Sequence, residues 1–478
     1  MADTCAPFPG DCVDSTALVQ GWRQLQQGSV LFADVFAQAW QRSAWVHRNG
    51  RLHDGQLSQE QGIGLRCVGG ACSALVSTAD LSPAGWALAL GGARDALRSF
   101  PSLQGQHARP LARPRPAGRS GQPPLPQERM RLPAERAQAC LGQIEDTLRR
   151  LIAGVLDVEL ALKLEERRTL LVSPQGLPVA EQRIHAWLEL ELVAQGRPAP
   201  ISVFRTLGWR TSAAEPDAAL LAGFLDGVCE AVAQQREACA APAGPMPLVL
   251  GPGGPGLLMH EVIGHALEGD AIHKRISPFA GQLGRRIAAP CVNLVDDGTL
   301  PLGWGSMRCD DEGQPSRSTL LIENGRLRSC LQDQACARRE GAAHSANGRR
   351  ASHASLPMPR MSNTCLMAGD ADPGEILASV RKGIYIAELA GGQANISTGA
   401  FTFEADQAFL IENGRITAPL LGCTFTGSSR NVLQQVRMVG HDFAMDPGYG
   451  SCVKKGQRIH VGFGQPTVRV DGLTVGGR

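Results

Sequence analysis

Residues 250–270 read LGPGGPGLLMHEVIGHALEGD, and the interpretation of the whole chain starts from this stretch. It begins at the end of a short apolar run, residues 248–250, which predicts a buried strand. A Gly/Pro turn follows, and the next apolar segment predicts a helix that carries His260, Glu261 and His265. The stretch therefore predicts a strand–turn–helix unit with three chemically active side chains near the start of the helix.

These three residues form the pattern HExxxH. Imidazoles are good zinc ligands, and an adjacent carboxylate can deprotonate a metal-bound water. On a regular α-helix, residues i and i+5 lie about 140° apart, so His260 and His265 cannot both reach one ion unless the helix widens or breaks between them. A π-bulge would bring them together, and Gly264 is where the backbone could deform. We therefore predict a metal site on a locally widened helix; the alternative is that both histidines are ordinary core residues.

A catalytic zinc ion needs a third protein ligand. Spacing alone does not choose among the candidates, which are Glu268, His273, Cys423, His441 and Cys452. Cys452 is attractive because it follows the Gly-rich sequence GYGS, which can approach a metal closely, and a metal would hold its thiol as the thiolate. An unremarkable free cysteine is the alternative at this position.

Composition and charge exclude several classes of protein. The chain has 478 residues, enough for two or three domains, and 47 Lys+Arg against 45 Asp+Glu. A formal net charge of +2 excludes polyanion binding driven by bulk charge, so we expect no nucleic-acid partner. No apolar run reaches the ~18 residues of a membrane span, and the N-terminus lacks a signal-peptide pattern. We therefore expect no membrane partner and a cytoplasmic protein.

Hydrophobic patterns predict an α+β fold, and the chain length allows two or three domains. An N-terminal mixed helix/strand domain would span 1–245, with a Pro/Arg-rich loop or linker at 101–127. A strand around 184–192 is predicted to be half-buried, with His185 on its solvent-exposed face. The repeated hairpin sequences LLIENGRLRS (320–329) and FLIENGRITA (409–418) indicate a β-rich C-terminal domain over 246–478. We expect that domain to be antiparallel, barrel-like or a sandwich, with the HExxxH helix near the junction of the two domains.

The chain resembles the TldD/PmbA metallopeptidases, and specifically their TldD branch. The stretches that carry the resemblance are MHEVIGHALEGD (259–270), VDDGT (295–299), DDEGQPS (310–316), LIENGRL (321–327), NGRRASHASLPMPRMSNT (347–364), GGQANISTGAF (391–401) and MDPGYGSCVKKGQRIHVGFGQPTVRVDGLTVGG (445–477). Weaker similarity in 15–100 extends the resemblance over nearly the whole chain. Three features depart from the family pattern. The GPGGPG turn before the helix stands where relatives tend to have a Trp, Val453 stands where glycine is expected, and the Pro/Arg-rich insertion at 101–127 is atypical.

This resemblance implies one zinc ion per active site, held by His260, His265 and Cys452, with Glu261 as the general base. It implies a peptidase that acts on unstructured peptides, including leader peptides in the maturation of peptide antibiotics. It also implies two domains, an α+β N-terminal half and a β-rich C-terminal half. The implied assembly is a dimer, with a PmbA-like (TldE-type) subunit or a second copy of the chain as the partner.

Other residues in the matched segments suggest how a peptide could be held. Gly391 and Gly392 could let an extended peptide approach the backbone and pair with it as an added strand. Arg349, Arg350 and Arg360 could hold a peptide carbonyl or a terminal carboxylate; for each arginine, a salt bridge that ties a loop is the alternative.

We predict a zinc-dependent peptidase in which Glu261 activates the attacking water. Glu268 and Asp270 are expected to orient a histidine or cap a turn. The competing hypotheses are a non-catalytic peptide-binding scaffold, as a pseudo-enzyme partner in a TldD/PmbA-type complex, and a purely structural assembly factor.

Overall fold

The computed structural model describes residues 15–26, 30–69, 72–98, 131–211 and 213–477, so the predicted loop or linker at 101–127 lies outside the described residues. The α-helices in these ranges are α1 (Ser15–Leu25), α2 (Pro83–Arg98), α3 (Ala134–Leu151), α4 (Ala218–Glu237), α5 (Leu257–Met259), α6 (Gly269–His273), α7 (Gln334–Glu340), α8 (Pro373–Ala378) and α9 (Ser429–Gln434). Within those ranges, none of the helices combines the length and the apolar character that crossing a lipid bilayer requires.

The N-terminal half is built on one six-stranded antiparallel sheet. Its strands are β1 (Phe32–Arg48), β2 (Arg51–Gly69), β3 (Cys72–Thr78), β4 (Val155–Val172), β5 (Pro178–Ala194) and β6 (Ile201–Trp209). They lie in the order β3-β2-β1-β4-β5-β6. Helices α1 and α2 contribute to one apolar core on this sheet, and α3 and α4 contribute to another.

The other face of this sheet is polar, yet it is buried against the C-terminal half. Arg66 Nη2 lies 2.7 Å from Glu312 Oε1, and Arg183 Nη1 lies 2.9 Å from Asp311 Oδ1. His185 is 3% exposed, and its Nε2 lies 3.0 Å from the Trp304 carbonyl oxygen. The prediction of a solvent-exposed His185 is therefore wrong, because the C-terminal half of the chain covers this polar face with groups of opposite charge and with hydrogen-bond partners.

The C-terminal half contains the remaining strands. They are β7 (Cys239–Ala240), β8 (Gly244–Leu250), β9 (Leu294–Asp297), β10 (Ser318–Glu323), β11 (Arg326–Leu327), β12 (Gly348–Arg349), β13 (Met358–Pro359), β14 (Asn363–Leu366), β15 (Lys382–Ala394), β16 (Ala400–Glu412), β17 (Arg415–Leu421), β18 (Thr424–Ser428), β19 (Val436–Val439), β20 (Ala444–Met445), β21 (Ser451–Lys454), β22 (Gln457–His460), β23 (Gly462–Gln465) and β24 (Val468–Gly476). The fold is thus α+β with a β-rich C-terminal half, which confirms the predicted fold class.

Five of these strands close into a barrel in the order β8-β24-β18-β16-β15, because β15 pairs with both β16 and β8. An odd number of strands cannot alternate in direction all the way round, so one neighbouring pair must be parallel. That pair is β8 and β15, and the other four pairs are antiparallel. A separate six-stranded sheet, β11-β10-β9-β14-β23-β20, packs beside the barrel in one continuous core.

Both predicted hairpins are present. The turn between β10 and β11 has Asn324 and Gly325 at φ 47° and 75°, and the turn between β16 and β17 has Asn413 and Gly414 at φ 50° and 77°. Positive φ at both central residues is what a two-residue hairpin turn requires, and Asn-Gly supplies it with little strain. The boundary placed between residues 245 and 246 stays a prediction.

Candidate metal centre

The HExxxH segment is a π-helix over His260–Gly264, between α5 and a short 3₁₀ turn at His265–Leu267. In a π-helix the hydrogen bonds join residues i and i+5, so this separation closes one turn. The two imidazole centroids therefore lie only 5.3 Å apart, with the ring planes 80° to each other. The predicted widening of the helix is confirmed.

Gly264 has a different reason to be glycine from the one the sequence suggested. Its φ of −52° and ψ of −55° are ordinary helical values that any residue adopts. A Cβ at this position would lie 2.0 Å from the Met361 sulfur, however, and Met361 is fully buried. Gly264 therefore provides room for a core side chain and not backbone flexibility.

Cys452 joins the two histidines. One donor atom from each of His260, His265 and Cys452 lies within 4.8 Å of the others, and all three residues are buried. Cys452 Sγ is 3.1 Å from His265 Nε2. His260 Nε2 is buried and has no hydrogen-bond partner, although an unpartnered buried nitrogen is costly. A ligand on this side of His260 would account for that atom.

The opposite nitrogens of both rings are already engaged. His260 Nδ1 lies 3.3 Å from Thr364 Oγ1, and His265 Nδ1 lies 3.2 Å from Glu268 Oε2. A neighbour that accepts a hydrogen bond from Nδ1–H fixes the tautomer in which the lone pair of Nε2 is free to bind a metal. Both imidazoles are therefore arranged to present Nε2 to the same point.

The electrostatics of the site favour a thiolate. Burial acts to raise the pKa of the Cys452 thiol, but His260 and His265 outweigh it and lower that pKa to about 4. Burial acts to lower the pKa of His265, but the Glu268 carboxylate and Cys452 raise it well above its usual value. The thiolate is the form of cysteine that binds metals.

Glu261 lies beside the three candidate ligand residues but is not itself a candidate ligand. Its Oε2 is 3.9 Å from His265 Nε2, and its side chain is 25% exposed, in contrast to the buried ligand candidates. A carboxylate in this position can exchange protons with a bound water and with solvent.

The other candidates for a third ligand lie elsewhere or have other partners. His273 and His441 contact Glu340 and Asp372 near the surface, and Cys423 packs into the apolar core. Glu268 is fully buried one layer behind His265, and Lys454 Nζ lies 2.8 Å from its Oε2. Sequence spacing could not make this choice, because it depends on where the chain returns about 190 residues later.

The three arginines that could have held a peptide are all buried. Arg349 donates to the Met361 carbonyl at 2.7 Å, and Arg360 donates to the Cys452 carbonyl at 2.8 Å. Arg350 donates to Asp34 Oδ1 at 2.9 Å. Burial lowers the pKa of Arg349 to about 9. These contacts favour the alternative in which the arginines tie loops together.

Gly391 and Gly392 lie on the part of β15 that extends past β8. β8 pairs with β15 only at Ile384–Ile386, so residues 387–394 have β16 on one side and no strand of the described ranges on the other. β15 also packs against the π-helix segment. A Cβ at Gly392 would lie 2.0 Å from the Phe403 ring, which explains the glycine there. Within the described residues, 387–394 of β15 thus lack a strand partner on one side, and β15 as a whole contacts the helix segment that carries His260.

Two further groups of histidines and carboxylates come together without a sequence signal. Glu165, His185 and His460 form one; His460 Nε2 contacts Glu165 Oε1 at 2.9 Å, and the two imidazoles stack with centroids 4.0 Å apart. Asp310, Glu312 and His344 form the other, with His344 Nε2 at 3.6 Å and 3.0 Å from the two carboxylates. In each group, the imidazole of His460 or His344 already lies within hydrogen-bond distance of a carboxylate.

Comparisons with known proteins point to one family of metallopeptidases. Residues 243–477 match the family model described as the PmbA/TldA metallopeptidase C-terminal domain. A "Metalloprotease TldD homolog" of Haemophilus influenzae is 34% identical over 457 residues, which is 93% of each chain. A "Zinc metalloprotease TldD homolog" of Saccharolobus solfataricus is 30% identical over 52% of this chain and 55% of its own.

A solved structure has the same fold. TldE from Thermococcus kodakarensis superposes with a TM-score of 0.75 at 19% identity, over 97% of this chain and 99% of that one. At this identity the likeness concerns the fold alone, whereas the full-length similarity to the Haemophilus influenzae protein concerns the family. This chain belongs to the TldD/PmbA family of metallopeptidases.

Proposed function

We propose that the chain is a zinc-dependent peptidase that cleaves unstructured peptides or leader peptides. The observation that carries the proposal is the convergence of two imidazoles and a thiol at the π-helix, with the buried Nε2 of His260 left without a partner. In this proposal His260, His265 and Cys452 hold one zinc ion.

The donor set fits that ion. Two imidazole nitrogens and one thiolate sulfur are common zinc ligands, and three protein ligands leave the fourth position open, as catalytic zinc sites do. When bound, zinc polarises a carbonyl oxygen and makes a water molecule more acidic.

Glu261 is the proposed proton carrier. Its carboxylate takes a proton from the attacking water and gives it to the leaving amine of the scissile bond. The 25% exposure of its side chain and its position 3.9 Å from His265 Nε2 support this role over one as a ligand.

The proposed substrate site is the free edge of β15 at residues 387–394, which includes Gly391 and Gly392. A peptide that pairs with this edge forms main-chain hydrogen bonds and must be extended. Such pairing depends little on side-chain identity, so flexibility of the substrate matters first.

We also propose a dimer, either with a TldE/PmbA-like subunit or with a second copy. The family supports this proposal. Large apolar side chains are exposed on the C-terminal half, among them Leu283 and Leu302. These side chains are the first candidates for contact with the second subunit.

The deciding experiment compares the parent chain with Glu261→Gln. The variant should keep its zinc, since Glu261 is not a proposed ligand, and lose about 10²–10⁴ in peptidase rate. Glu375→Gln, which changes an exposed glutamate of α8, is the control and should stay active. Peptidase activity that survives Glu261→Gln would exclude this mechanism, and a parent that binds zinc and peptide without cleavage would favour the scaffold hypothesis.

Substrate flexibility is tested with one protein offered in its folded form and as a short peptide copied from its sequence. We expect the peptide to be cut much faster, because main-chain pairing with β15 is impossible while the substrate keeps its own hydrogen bonds. Equal rates would exclude the strand-edge site.

A further inference from the structure

Cys452 lies on a short hairpin that belongs to neither of the large C-terminal sheets. β21 pairs with β22, and within the described residues neither strand pairs with any other. The backbone ladders that fix the barrel and the six-stranded sheet therefore do not fix the hairpin. Other contacts must hold Cys452 against the helix that carries His260 and His265.

Lys454 makes one of these contacts. It follows Cys452 by two residues in the same strand, so both side chains point to the same face. Its Nζ lies 2.8 Å from Glu268 Oε2 and 2.7 Å from Asp270 Oδ1. The Lys454 side chain is 12% exposed and Glu268 is fully buried, so solvent screens this ion pair weakly.

Glu268 connects Lys454 to a proposed ligand. The same Oε2 atom that receives Lys454 lies 3.2 Å from His265 Nδ1. A carboxylate behind a ligating histidine fixes the tautomer and direction of its ring. The other oxygen, Oε1, has no hydrogen-bond partner and lies 3.9 Å from Arg360 Nε, so Lys454 is the closer of the two cations.

Arg360 holds the hairpin from a second direction. Its Nη2 donates to the carbonyl of Cys452 at 2.8 Å, and its Nη1 donates to the carbonyl of Gln457 at 3.1 Å. These two hydrogen bonds connect the fully buried Arg360 side chain to both strands of the hairpin.

We propose that Lys454 is a positioning residue for Cys452, the third ligand; this inference rests on the proposed zinc site. Its ion pairs with Glu268 and Asp270 dock the Cys452 hairpin onto the helix of the two histidines. This docking sets how tightly the three ligands hold zinc, with Arg360 as the second anchor.

The test compares Lys454→Met with Lys455→Met, in the full chain. Lys455 is the matched control because its Nζ contacts Asp270 at 3.3 Å and its side chain is 57% exposed. Zinc affinity is measured by competition with a chromophoric chelator at one pH. We expect Lys454→Met to weaken zinc binding about tenfold or more, and Lys455→Met to change it by less than about twofold.

A double variant separates docking from the cost of an unpaired charge. Lys454→Met alone leaves Glu268 buried without its closest cation, which destabilises the fold. Glu268→Gln/Lys454→Met removes both charges and should fold, as its metal-free melting temperature would show. Glu268→Gln alone is measured beside it, because Glu268 also orients His265. We expect the double variant to bind zinc more weakly than Glu268→Gln, since the ion pair between Lys454 and Asp270 is lost as well; equal affinities would overturn the proposal.

Cobalt in place of zinc reports on the ligand itself. We expect Lys454→Met to lose thiolate-to-cobalt charge-transfer absorption relative to the parent, because Cys452 is the ligand that moves. Unchanged zinc affinity and an unchanged cobalt spectrum in Lys454→Met overturn this inference alone. A parent chain that binds no zinc overturns the proposed function as well, so the two failures are distinguishable.

Discussion

Replacing Gly264 by alanine tests why the π-helix can approach the core so closely. The added methyl group would lie 2.0 Å from Met361 Sδ and 3.2 Å from Met361 Cγ. Ordinary carbon contacts begin at about 3.5 Å, so one of the two side chains must move by more than 1 Å. Met361 is fully buried and packs in the main core, which leaves it little space to do so.

The expected effect follows from two opposing contributions. Overpacking a core by one methyl group costs about 1–3 kcal/mol. Alanine is a better helix former than glycine and offsets up to about 1 kcal/mol of that cost. The net loss of about 1–2 kcal/mol should lower the melting temperature by about 1–4 °C, because a chain of this length has a large entropy of unfolding. Zinc affinity should fall too, because the displaced backbone lies directly between His260 and His265.

The assay is thermal unfolding of the metal-free chain, followed by zinc titration. Gly223→Ala is the control, because Gly223 lies within α4 and no atom lies within 4 Å of its Cβ position. This control should gain about 0.5–1 kcal/mol from helix propensity. If the clash is the cause, the double variant Gly264→Ala/Met361→Ala should lose less stability than the two single variants lose together. A Gly264→Ala chain that melts at or above the parent temperature and binds zinc equally well would refute this reasoning.

Further predictions concern the ligand, the pH dependence and the assembly. Cys452→Ala should lose most of its zinc in elemental analysis, whereas Cys423→Ala, which alters a core cysteine, should keep it; full zinc occupancy without Cys452 would contradict the ligand assignment. Burial, and then the charge of Asp446, raises the pKa of Glu388 to about 7. In the unfolded chain this carboxyl loses its proton near pH 4.3, whereas the folded chain keeps it up to about pH 7. The parent therefore loses stability as the pH rises from about 4 to about 7. The free energy of unfolding of Glu388→Gln, relative to that of the parent, should therefore rise by about 1–3 kcal/mol between pH 5 and pH 8. Melting temperatures of both chains at the two pH values measure this. A difference that stays the same at both values would argue against a Glu388 that binds a proton in the folded chain. Light scattering of the purified chain, alone and mixed with a TldE/PmbA-like subunit, should show a dimer, and an active monomer at low concentration would exclude that assembly.

The sequence predicted well whatever depends on neighbours along the chain. The Asn-Gly turns, the strand–turn–helix unit and the need for a widened helix all follow from local backbone geometry, and the structure shows each of them. The resemblance added Cys452, which spacing could not select. The reason given for Gly264 was incorrect because its constraint comes from Met361, a residue about 100 positions away.

The structure differs from the predictions mainly where two distant surfaces meet. His185 alternates with apolar residues and so fits a half-exposed strand, but that alternation does not reveal that the polar face is covered by Trp304 and His460. Likewise, nothing in the order of residues shows that Lys454 reaches Glu268 or that Arg360 reaches the Cys452 carbonyl. These contacts form only once the chain has folded back on itself.

The N-terminal half supplies none of the proposed metal ligands, yet its sheet supports the segment that supplies one. Trp304 donates from its indole nitrogen to the carbonyl of Gly450 at 2.9 Å, two residues before Cys452, and its own carbonyl is 3.0 Å from His185 Nε2 on β5. His460, which pairs with Ser451 across the hairpin, contacts Glu165 of β4 at 2.9 Å. A buried polar interface of this kind fixes a relative orientation more than it adds stability. The charged face of the N-terminal sheet therefore bears on the proposed metal site indirectly, through its contacts with the segment that carries Cys452.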